Sequence, residues 1–359
     1  MNTPTRSTRR AFTPVVLLVG AVLALAGCAS APDAGGENAG SEYCARMVTN
    51  SGGLQDRSFN QSSWEGLQQA SSRYGIDVRA LVSTSETDLR PNVDQAVESG
   101  CQLVLTVGWE LADATVEAAA ANPDVNFAIV DEQVDGANIK PIVFDTAQAA
   151  FLAGYLAAGV TETGIVATFG GGNQPPVTLF MDGFVDGVDH YNTVHGTSVR
   201  ALGWDKAKQD GNFTGDFEDV GKGKTLTQGF IDQGADVILP VAGQVGEGAA
   251  AAASEATGVS VIWVDNDGFE TLPAAFRPFV LTSVLKNTQD AVVAIVGDDM
   301  DGNFDNAPFI GTLQNGGVDI APFHERASLV SPELSAELDG VRKDIIGGAI
   351  LVTSPSTPQ

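Results

Sequence analysis

Short apolar runs alternate with helical patterns along nearly the whole chain from residue 44 onward. Most of the runs are separated by helical segments, such as 63–73, in which Trp64, Leu67 and Ala70 share one face, and the strongly apolar segment 147–158. Strands that alternate with helices form parallel sheets covered on both faces, so the order predicts an α/β fold. The strand-like runs cover residues 44–49, 77–83, 102–107, 125–131, 141–144, 164–168, 199–203, 236–241, 259–265 and 279–285.

About ten strands are more than one sheet comfortably holds. The chain has 359 residues, which exceeds the roughly 250–300 residues at which single hydrophobic cores stop growing. We therefore predict two lobes, each a doubly wound parallel sheet. We predict that the chain crosses from lobe one to lobe two at residues 142–145 and returns to lobe one at residues 265–268. Lobe one then comprises 42–144 and 266–305, and lobe two comprises 145–265 and 306–359.

The N-terminus has the pattern of an export signal. Arg6, Arg9 and Arg10 precede the apolar run 11–26, which is shorter than the roughly 20 residues that span a bilayer. The run ends in Leu25-Ala26-Gly27-Cys28, which resembles the lipobox of bacterial lipoproteins. We therefore predict a signal peptide over 1–27, lipidation of Cys28 and a flexible tether over 28–41, rich in Ala, Gly and polar residues. The predicted location is the extracytoplasmic side of the cell membrane, where the lipid anchor holds the protein.

The charge of the chain excludes one class of partner. The formal net charge is −26, and residues 1–27 carry three arginines and no acidic residue, so the remainder carries −29. Nucleic-acid binding needs clustered Lys and Arg to contact phosphates, and this field repels polyanions. We expect no nucleic-acid partner.

Two cysteines remain once Cys28 is assigned to the anchor. Cys44 and Cys101 each come just before or at the start of an apolar run. If these runs are neighbouring parallel strands, both cysteines lie at the same end of the sheet and a disulfide is geometrically feasible. An exported location permits the bond. Two separate buried thiols are the alternative.

Catalytic and metal-binding patterns are missing. Neither a GxSxG nor an HExxH motif occurs, and His190 and His195 fall in a polar stretch that predicts a loop. The acidic cluster around Gly302 lacks the first and last ligands of an EF-hand loop, so a solvated acidic loop is the expectation there. We predict no enzyme activity, no metal and no cofactor.

Polar and aromatic residues gather where the predicted strands end. In open α/β sheets, ligands bind at the carboxyl ends of strands. Carboxylates there accept hydrogen bonds from vicinal hydroxyls, amides pair with the edge of a heterocycle, and an aromatic ring offers a stacking face. This set predicts a pocket for a small neutral polyol that carries a flat ring. The residues are Asn50, Phe59, Asn60, Trp109, Asp131, Gly243, Asp265 and Lys286.

A series of segments in the same order resembles one known family. The stretches are Val48 to Gly53, Asp56 to Gln61, Trp64 to Gly66, Val107 to Trp109, Phe127 to Asp131, Phe151 to Tyr155, Gly215 to Phe217, Gln233 to Ile238, Val264-Asp265 and Leu281 to Lys286. They are similar to the basic membrane protein (BMP, PnrA-like) lipoproteins. The resemblance covers about residues 44 to 349.

The resemblance implies a type I periplasmic-binding-protein fold and delivery of purine nucleosides to an ABC permease by a monomeric protein. Phe59 and Phe217 would stack on the base, with Asn60 and Asp131 bonding the base or the adjacent ribose. Asp265 and Lys286 would hold ribose hydroxyls. Many members have Asp at the position of Asn50, so the base preference is expected to differ.

Two alternatives stay open from the sequence. The same fold would serve a binder of free sugars or of another small polar metabolite. A surface lipoprotein that binds other macromolecules would keep the cleft without using it.

Overall fold

The computed structural model describes residues 42–359. The predicted signal peptide, the predicted lipidation site Cys28 and the predicted tether lie outside the described residues. Among residues 42–359, no helix combines the length and the apolar character that crossing a bilayer requires.

The strands, in chain order, are β1 (Cys44–Val48), β2 (Asp77–Leu81), β3 (Leu103–Val107), β4 (Asn126–Val130), β5 (Ile139–Phe144), β6 (Ile165–Gly170), β7 (Arg200–Leu202), β8 (Trp204–Asp205), β9 (Asp210–Gly211), β10 (Val237–Val241), β11 (Ser260–Asp265), β12 (Val280–Lys286), β13 (Phe309–Gly311) and β14 (Val318–Ile320). The helices are α1 (Phe59–Tyr74), α2 (Glu86–Glu98), α3 (Ala112–Ala121), α4 (Thr146–Val160), α5 (Pro175–His195), α6 (Val220–Ile231), α7 (Gly246–Glu255), α8 (Gly268–Thr271), α9 (Thr288–Met300) and α10 (Pro332–Ile346).

Two six-stranded sheets form the centres of two lobes. The first has the order β13-β5-β4-β3-β1-β2 and is parallel throughout. The second has the order β14-β12-β11-β10-β6-β7, parallel except where β14 runs antiparallel to β12. Their central strands are buried along their whole length, as parallel strands covered by helices must be. The prediction of two parallel α/β lobes is confirmed.

The chain crosses between the lobes three times, and two of these crossings differ from the predicted boundaries. It passes from β5 to α4, from β12 to α9, and from β13 to β14. The predicted return at 265–268 is wrong, because the chain there forms the short helix α8, which packs against β11 and β12 of the second sheet. Residues 280–286 therefore stay in lobe two, paired with β11. The prediction that 306–359 belong wholly to lobe two is also wrong, since β13 joins the first sheet.

Helices α4 and α5 pack with their backbones almost in contact. A Cβ atom added at Gly154 would lie 2.0 Å from the carbonyl oxygen of Phe184, and one added at Gly187 would lie 2.0 Å from that of Phe151. Only glycine permits such an approach. Since α5 carries residues that line the cavity described below, this packing fixes one of its walls.

Helix α5 also corrects the prediction of a loop at 190–197. It continues to His195 and ends at Gly196, which adopts a left-handed conformation. The polar residues there face partners: the His195 ring lies 3.0 Å from the Glu337 carboxylate and stacks on Tyr191. The low helix propensity of this polar segment is outweighed by these tertiary contacts, which stabilise the helix.

A disulfide joins Cys44 and Cys101, with their Cα atoms 4.9 Å apart. Strands β1 and β3 are parallel neighbours, and Ala45 pairs with Leu103, which places the two cysteines at the same end of the sheet. Of the two alternatives left open by the sequence, the structure has the bonded one.

Candidate functional site between the two lobes

A cavity of about 270 Å³ lies between the lobes at the carboxyl ends of their strands. Its volume is near the lower end of the range for small-molecule pockets, roughly 300–1,000 Å³, so it suits a small metabolite and not a polymer. The structure brings all nine predicted ligand-binding residues to its lining: Asn50, Phe59, Asn60, Trp109, Asp131, Phe217, Gly243, Asp265 and Lys286. Lobe one supplies the first five and lobe two the last four.

The buried ammonium of Lys286 joins the two lobes at this cavity. Its Nζ lies 2.5 Å from Asp131 Oδ2 in lobe one and 3.4 Å from Asp265 Oδ1 in lobe two. Burial by itself would lower the pKa of Lys286, but the attraction and hydrogen bonds of the two carboxylates outweigh burial and raise that pKa. Lys286 therefore stays charged. With both carboxylates ionised, the two carboxylates and the ammonium together carry one net negative charge.

Aromatic rings surround the same ammonium. Lys286 Nζ lies 5.2 Å from the ring centre of Phe59, 5.4 Å from that of Phe180 and 5.8 Å from that of Phe144. These are cation–π distances. The rings exclude water from the ion group while leaving its polar atoms directed at the cavity.

Asp131 and Asp265 hold equivalent places in the two lobes. Asp131 follows β4 with φ 64°, and Asp265 ends β11 with φ 65°. Left-handed backbone is uncommon for residues other than glycine, although Asp adopts it more readily than most. Such conformations concentrate at functional sites. Here the backbone turns both carboxylates back toward the space between the lobes.

The segment 56–58 carries lobe one across to lobe two. Ser58 Oγ donates to Asp265, and its carbonyl accepts from Asn266 Nδ2 at 2.9 Å. Arg57 Nε donates to Glu247 at 2.6 Å, and Arg57 Nη1 donates to the carbonyl of Thr271 at 2.9 Å. These bonds hold the lobes together in a closed arrangement around the cavity.

A chain of polar groups forms the lobe-one wall. Asn60 Nδ2 donates to Asn50 Oδ1 at 2.7 Å and to Asp56 Oδ2 at 3.1 Å. Glu110 lies nearby, and a Cβ atom added at Gly108 would come within 2.6 Å of its Oε2. Burial raises the pKa of Glu110. The left-handed Gly108, with φ 112°, leaves the room that this wall needs.

Phe217 and Trp109 lie at different depths. The Phe217 ring rests against Gly171, where an added Cβ atom would come within 2.4 Å of it. Trp109 is 41% exposed, which places much of its indole in solvent at the edge of the cavity. Phe217 is therefore positioned as a wall, whereas Trp109 is positioned at the entrance.

Sequence reasoning missed several lining residues: Asp56, Glu86, Glu110, Gln174, Phe180, Asp216 and Glu218. One signal could have found Glu110. Residues 103–131 and 237–265 carry the same succession of strand, 3₁₀ turn, helix and strand at an offset of 134 residues, as from Leu103 to Val237. At this offset Trp109 corresponds to Gly243 and Asp131 corresponds to Asp265. The turn 109–111, which contains Glu110, then corresponds to the turn 243–245 at the cavity. Phe180 is missed because only the tertiary packing of α5 turns it inward.

The acidic cluster near Gly302 has structural partners. Asp299 accepts hydrogen bonds from Tyr43 and Asn126, and Asp305 pairs with Lys140 at 2.6 Å. Within the part of the chain that the structure describes, no group of three or more His, Cys, Asp and Glu side chains has the arrangement of a metal site.

Two parallel α/β lobes joined by three crossings, with a small-molecule cavity between them, define the type I periplasmic-binding-protein fold. Solved structures of solute-binding proteins agree with this fold. A solute-binding protein of an ABC transporter system from Aeropyrum pernix K1 superposes with a TM-score of 0.78, at 23% identity over 88% of this chain and 94% of that one. Another from Conexibacter woesei gives 0.69 at 20% identity, over 87% and 99% of the two chains.

Residues 45–354 match the model of the Bmp family, described as ABC transporter substrate-binding protein PnrA-like. The chain belongs to this family of transporter substrate-binding proteins. The ABC transporter nucleoside-binding protein BmpA of Lactococcus lactis is 32% identical, over 96% of this chain and 99% of the relative. Basic membrane protein A of Borreliella burgdorferi is 26% identical, over 88% and 89% of the two chains.

Proposed function

We propose that this protein is the lipid-anchored nucleoside-binding component of an ABC importer. The observation that carries the proposal is the pairing, in one small cavity, of aromatic walls with a buried Asp–Lys–Asp group. A nucleoside has a flat apolar base and a polar ribose, and the cavity divides its surface in the same way. The name of the Lactococcus lactis relative, a nucleoside-binding protein, supports the same ligand class.

The base would lie between Phe59 of lobe one and Phe217 of lobe two. Stacking of a base on an aromatic side chain contributes roughly 1–3 kcal/mol. The amides of Asn50 and Asn60 would bond the edge of the base. Asn accepts and donates, whereas an ionised Asp at this position would only accept, so Asn50 would also pair with an acceptor on the base.

The ribose would bind at the ion group. Asp131 and Asp265 accept hydrogen bonds from hydroxyl groups, and Lys286 donates to hydroxyl oxygens. Because this group carries one net negative charge with both carboxylates ionised, and the lining adds the carboxylates of Glu86 and Glu218, a phosphate is unfavourable here. The protein would therefore take nucleosides in preference to nucleotides.

Closure of the lobes would couple binding to transport. A ligand that contacts both lobes stabilises the closed state by the contacts that the open state lacks. The closed form, tethered through Cys28 at the outer face of the membrane, would then deliver its nucleoside to the permease. Several acyl chains on one residue anchor a protein stably where a single chain does not.

A ligand panel tests the ligand class. Isothermal titration and thermal shift would compare nucleosides, bases, ribose and nucleotides, and ligand at about 100 times its dissociation constant should stabilise by about 2.7 kcal/mol. We expect binding of nucleosides alone. Equal binding of ribose would instead identify a sugar binder, and no binding of any nucleoside would favour a surface interaction protein.

Two variants test the site. Phe59→Ala and Asp265→Ala should each weaken nucleoside binding more than tenfold without unfolding the protein. Phe276→Ala and the exposed Asp124→Ala, both outside the cavity lining, are matched controls and should bind normally. Near-native affinity in both cavity variants would refute the assignment.

The anchor needs its own test. Cys28→Ser should abolish incorporation of labelled palmitate and release the protein from membranes, with nucleoside affinity unchanged. Continued labelling of the variant would refute the assignment of Cys28.

A further inference from the structure

Asp56 is a buried carboxylate whose oxygens bond only to groups of its own loop and helix α1. It is 5% exposed and lies between β1 and α1. Its two oxygens accept the backbone N–H groups of Ser58 at 3.1 Å, Asn60 at 2.7 Å and Gln61 at 3.0 Å. A fourth bond comes from the side chain of Asn60, at 3.1 Å. Asp56 therefore fixes both the backbone and the amide of Asn60.

The bonds of Asn60 determine which atom of its amide is left without a partner. Its Nδ2 has two hydrogens, and both are used, one by Asp56 and one by Asn50. Its Oδ1 is buried and has no hydrogen-bond partner among residues 42–359. Asn60 is 1% exposed and lines the cavity. The amide atom left without a partner is thus an acceptor.

The opposite amide orientation is excluded by the neighbouring atoms. It would place the Asn60 carbonyl oxygen against the Asp56 carboxylate and the Asn50 carbonyl oxygen, which are all acceptors. Asn50 cannot reverse to relieve this, because its Oδ1 also accepts the backbone N–H of Gly52 at 3.2 Å. An unpaired buried acceptor is costly, so a ligand that supplies a donor gains relative to one that does not.

We propose that Asp56 is a positioning residue that holds Asn60 as a hydrogen-bond acceptor, so that the protein selects bases carrying an N–H group. The inference rests on the proposed nucleoside function. Adenosine, with its exocyclic amino group, and inosine, with its ring N–H, meet the requirement. Purine riboside does not, because its base has the same ring system and no N–H.

The experiment compares adenosine, inosine and purine riboside by isothermal titration. An unsatisfied buried acceptor costs enough to weaken binding roughly 5- to 150-fold. We expect purine riboside to bind at least tenfold more weakly than adenosine or inosine. Equal binding of purine riboside and adenosine would overturn the inference while leaving the nucleoside function intact. Failure of all three to bind would instead refute the proposed function.

The Asp56→Asn variant tests the positioning role. An amide at position 56 removes one of the two acceptors that hold Asn60 Nδ2, so the Asn60 side chain loses its fixed orientation. Discrimination between adenosine and purine riboside should then fall below about threefold, because the acceptor at position 60 is no longer held in place for the N–H group of the base. A purely structural role would weaken both ligands by the same factor, and that result would overturn the proposal.

Asn60→Ala provides a second route if the Asp56 variant does not fold. It removes the acceptor without touching the carboxylate, so it should also abolish the discrimination. Retention of a tenfold preference for adenosine in a folded Asn60→Ala protein would overturn the inference. Asp145→Asn, at the start of α4 and outside the cavity lining, is the control that should keep the preference.

Discussion

Replacing Arg57 with Met should shift the balance between open and closed lobes. Arg57 belongs to lobe one, and its guanidinium bonds Glu247 at 2.6 Å and the carbonyl of Thr271 at 2.9 Å, both in lobe two. Methionine keeps an unbranched stem but removes the charge and both donors. Arg57 has φ 58°, and neither side chain suits that left-handed backbone better than the other.

The size of the effect follows from the exposure of the pair. Hydrogen bonds to charged groups contribute roughly 1.5–3 kcal/mol when well shielded. The Arg57 side chain is 37% exposed and that of Glu247 is 16% exposed, so solvent screening reduces the contribution to about 1 kcal/mol. That corresponds to a factor of about 5 in the ratio of closed to open molecules. Where the closed form is the minor one without ligand, the apparent dissociation constant rises by the same factor.

The assay combines affinity with shape. Isothermal titration should show about fivefold weaker nucleoside binding for Arg57→Met, and stopped-flow measurements should show faster ligand release. Small-angle scattering of the ligand-saturated proteins should give the same radius of gyration, because bound ligand holds both in the closed state.

A matched control separates lobe closure from loss of charge. Arg90 pairs with Glu117, and both residues lie in lobe one with more than half of each side chain exposed. Arg90→Met should leave affinity and scattering unchanged. Unchanged affinity in Arg57→Met, or equal effects in the two variants, would refute the reasoning.

Three further predictions concern stability. Replacing Cys44 and Cys101 with Ser should lower the free energy of unfolding by about 4 kcal/mol, the chain-entropy value for cysteines 57 residues apart. If reductant does not change the urea unfolding of the wild type, this prediction is contradicted. Gly154→Ala should cost about 1–3 kcal/mol from overpacking against α5, whereas Gly340→Ala, with no atom within 4 Å of its added Cβ, should stabilise by about 0.5–1 kcal/mol; thermal unfolding of both variants checks the opposite signs. Burial raises the pKa of Asp56 from 3.8 to about 6, so between these pH values the folded protein retains a proton that the unfolded chain has lost. The stability that this proton contributes is fully present below pH 3.8 and is lost as the pH rises through 6. The free energy of unfolding should therefore fall by about 3 kcal/mol over this range. Denaturation curves from pH 4 to 7 should show this fall in the free energy of unfolding for the wild type and not for Asp56→Asn. The same pH dependence of that free energy in the two proteins would contradict the prediction.

Local patterns along the chain determined the fold class and which residues lie at the site. Apolar runs of strand length alternate with helical segments, and this alternation has few solutions other than parallel sheets covered by helices. Because parallel strands end at one edge of each sheet, residues such as Asn50, Asp131 and Asp265 could be assigned to one cleft before any contact was known. All nine predicted residues line the cavity, while their roles in binding remain a proposal.

The tertiary structure alone decided which sheet each of the C-terminal strands joins and how the polar groups of the site bond to one another. Strand β12 looks the same in sequence whichever lobe holds it, and β13 and β14 have three residues each, too few to show a period. The ion group of Lys286 and the polarity of the Asn60 amide arise from atoms that lie far apart along the chain or depend on loop geometry. Sequence periodicity reports which face of an element is buried, but pairing between distant elements is set by packing and hydrogen bonds that no local pattern encodes.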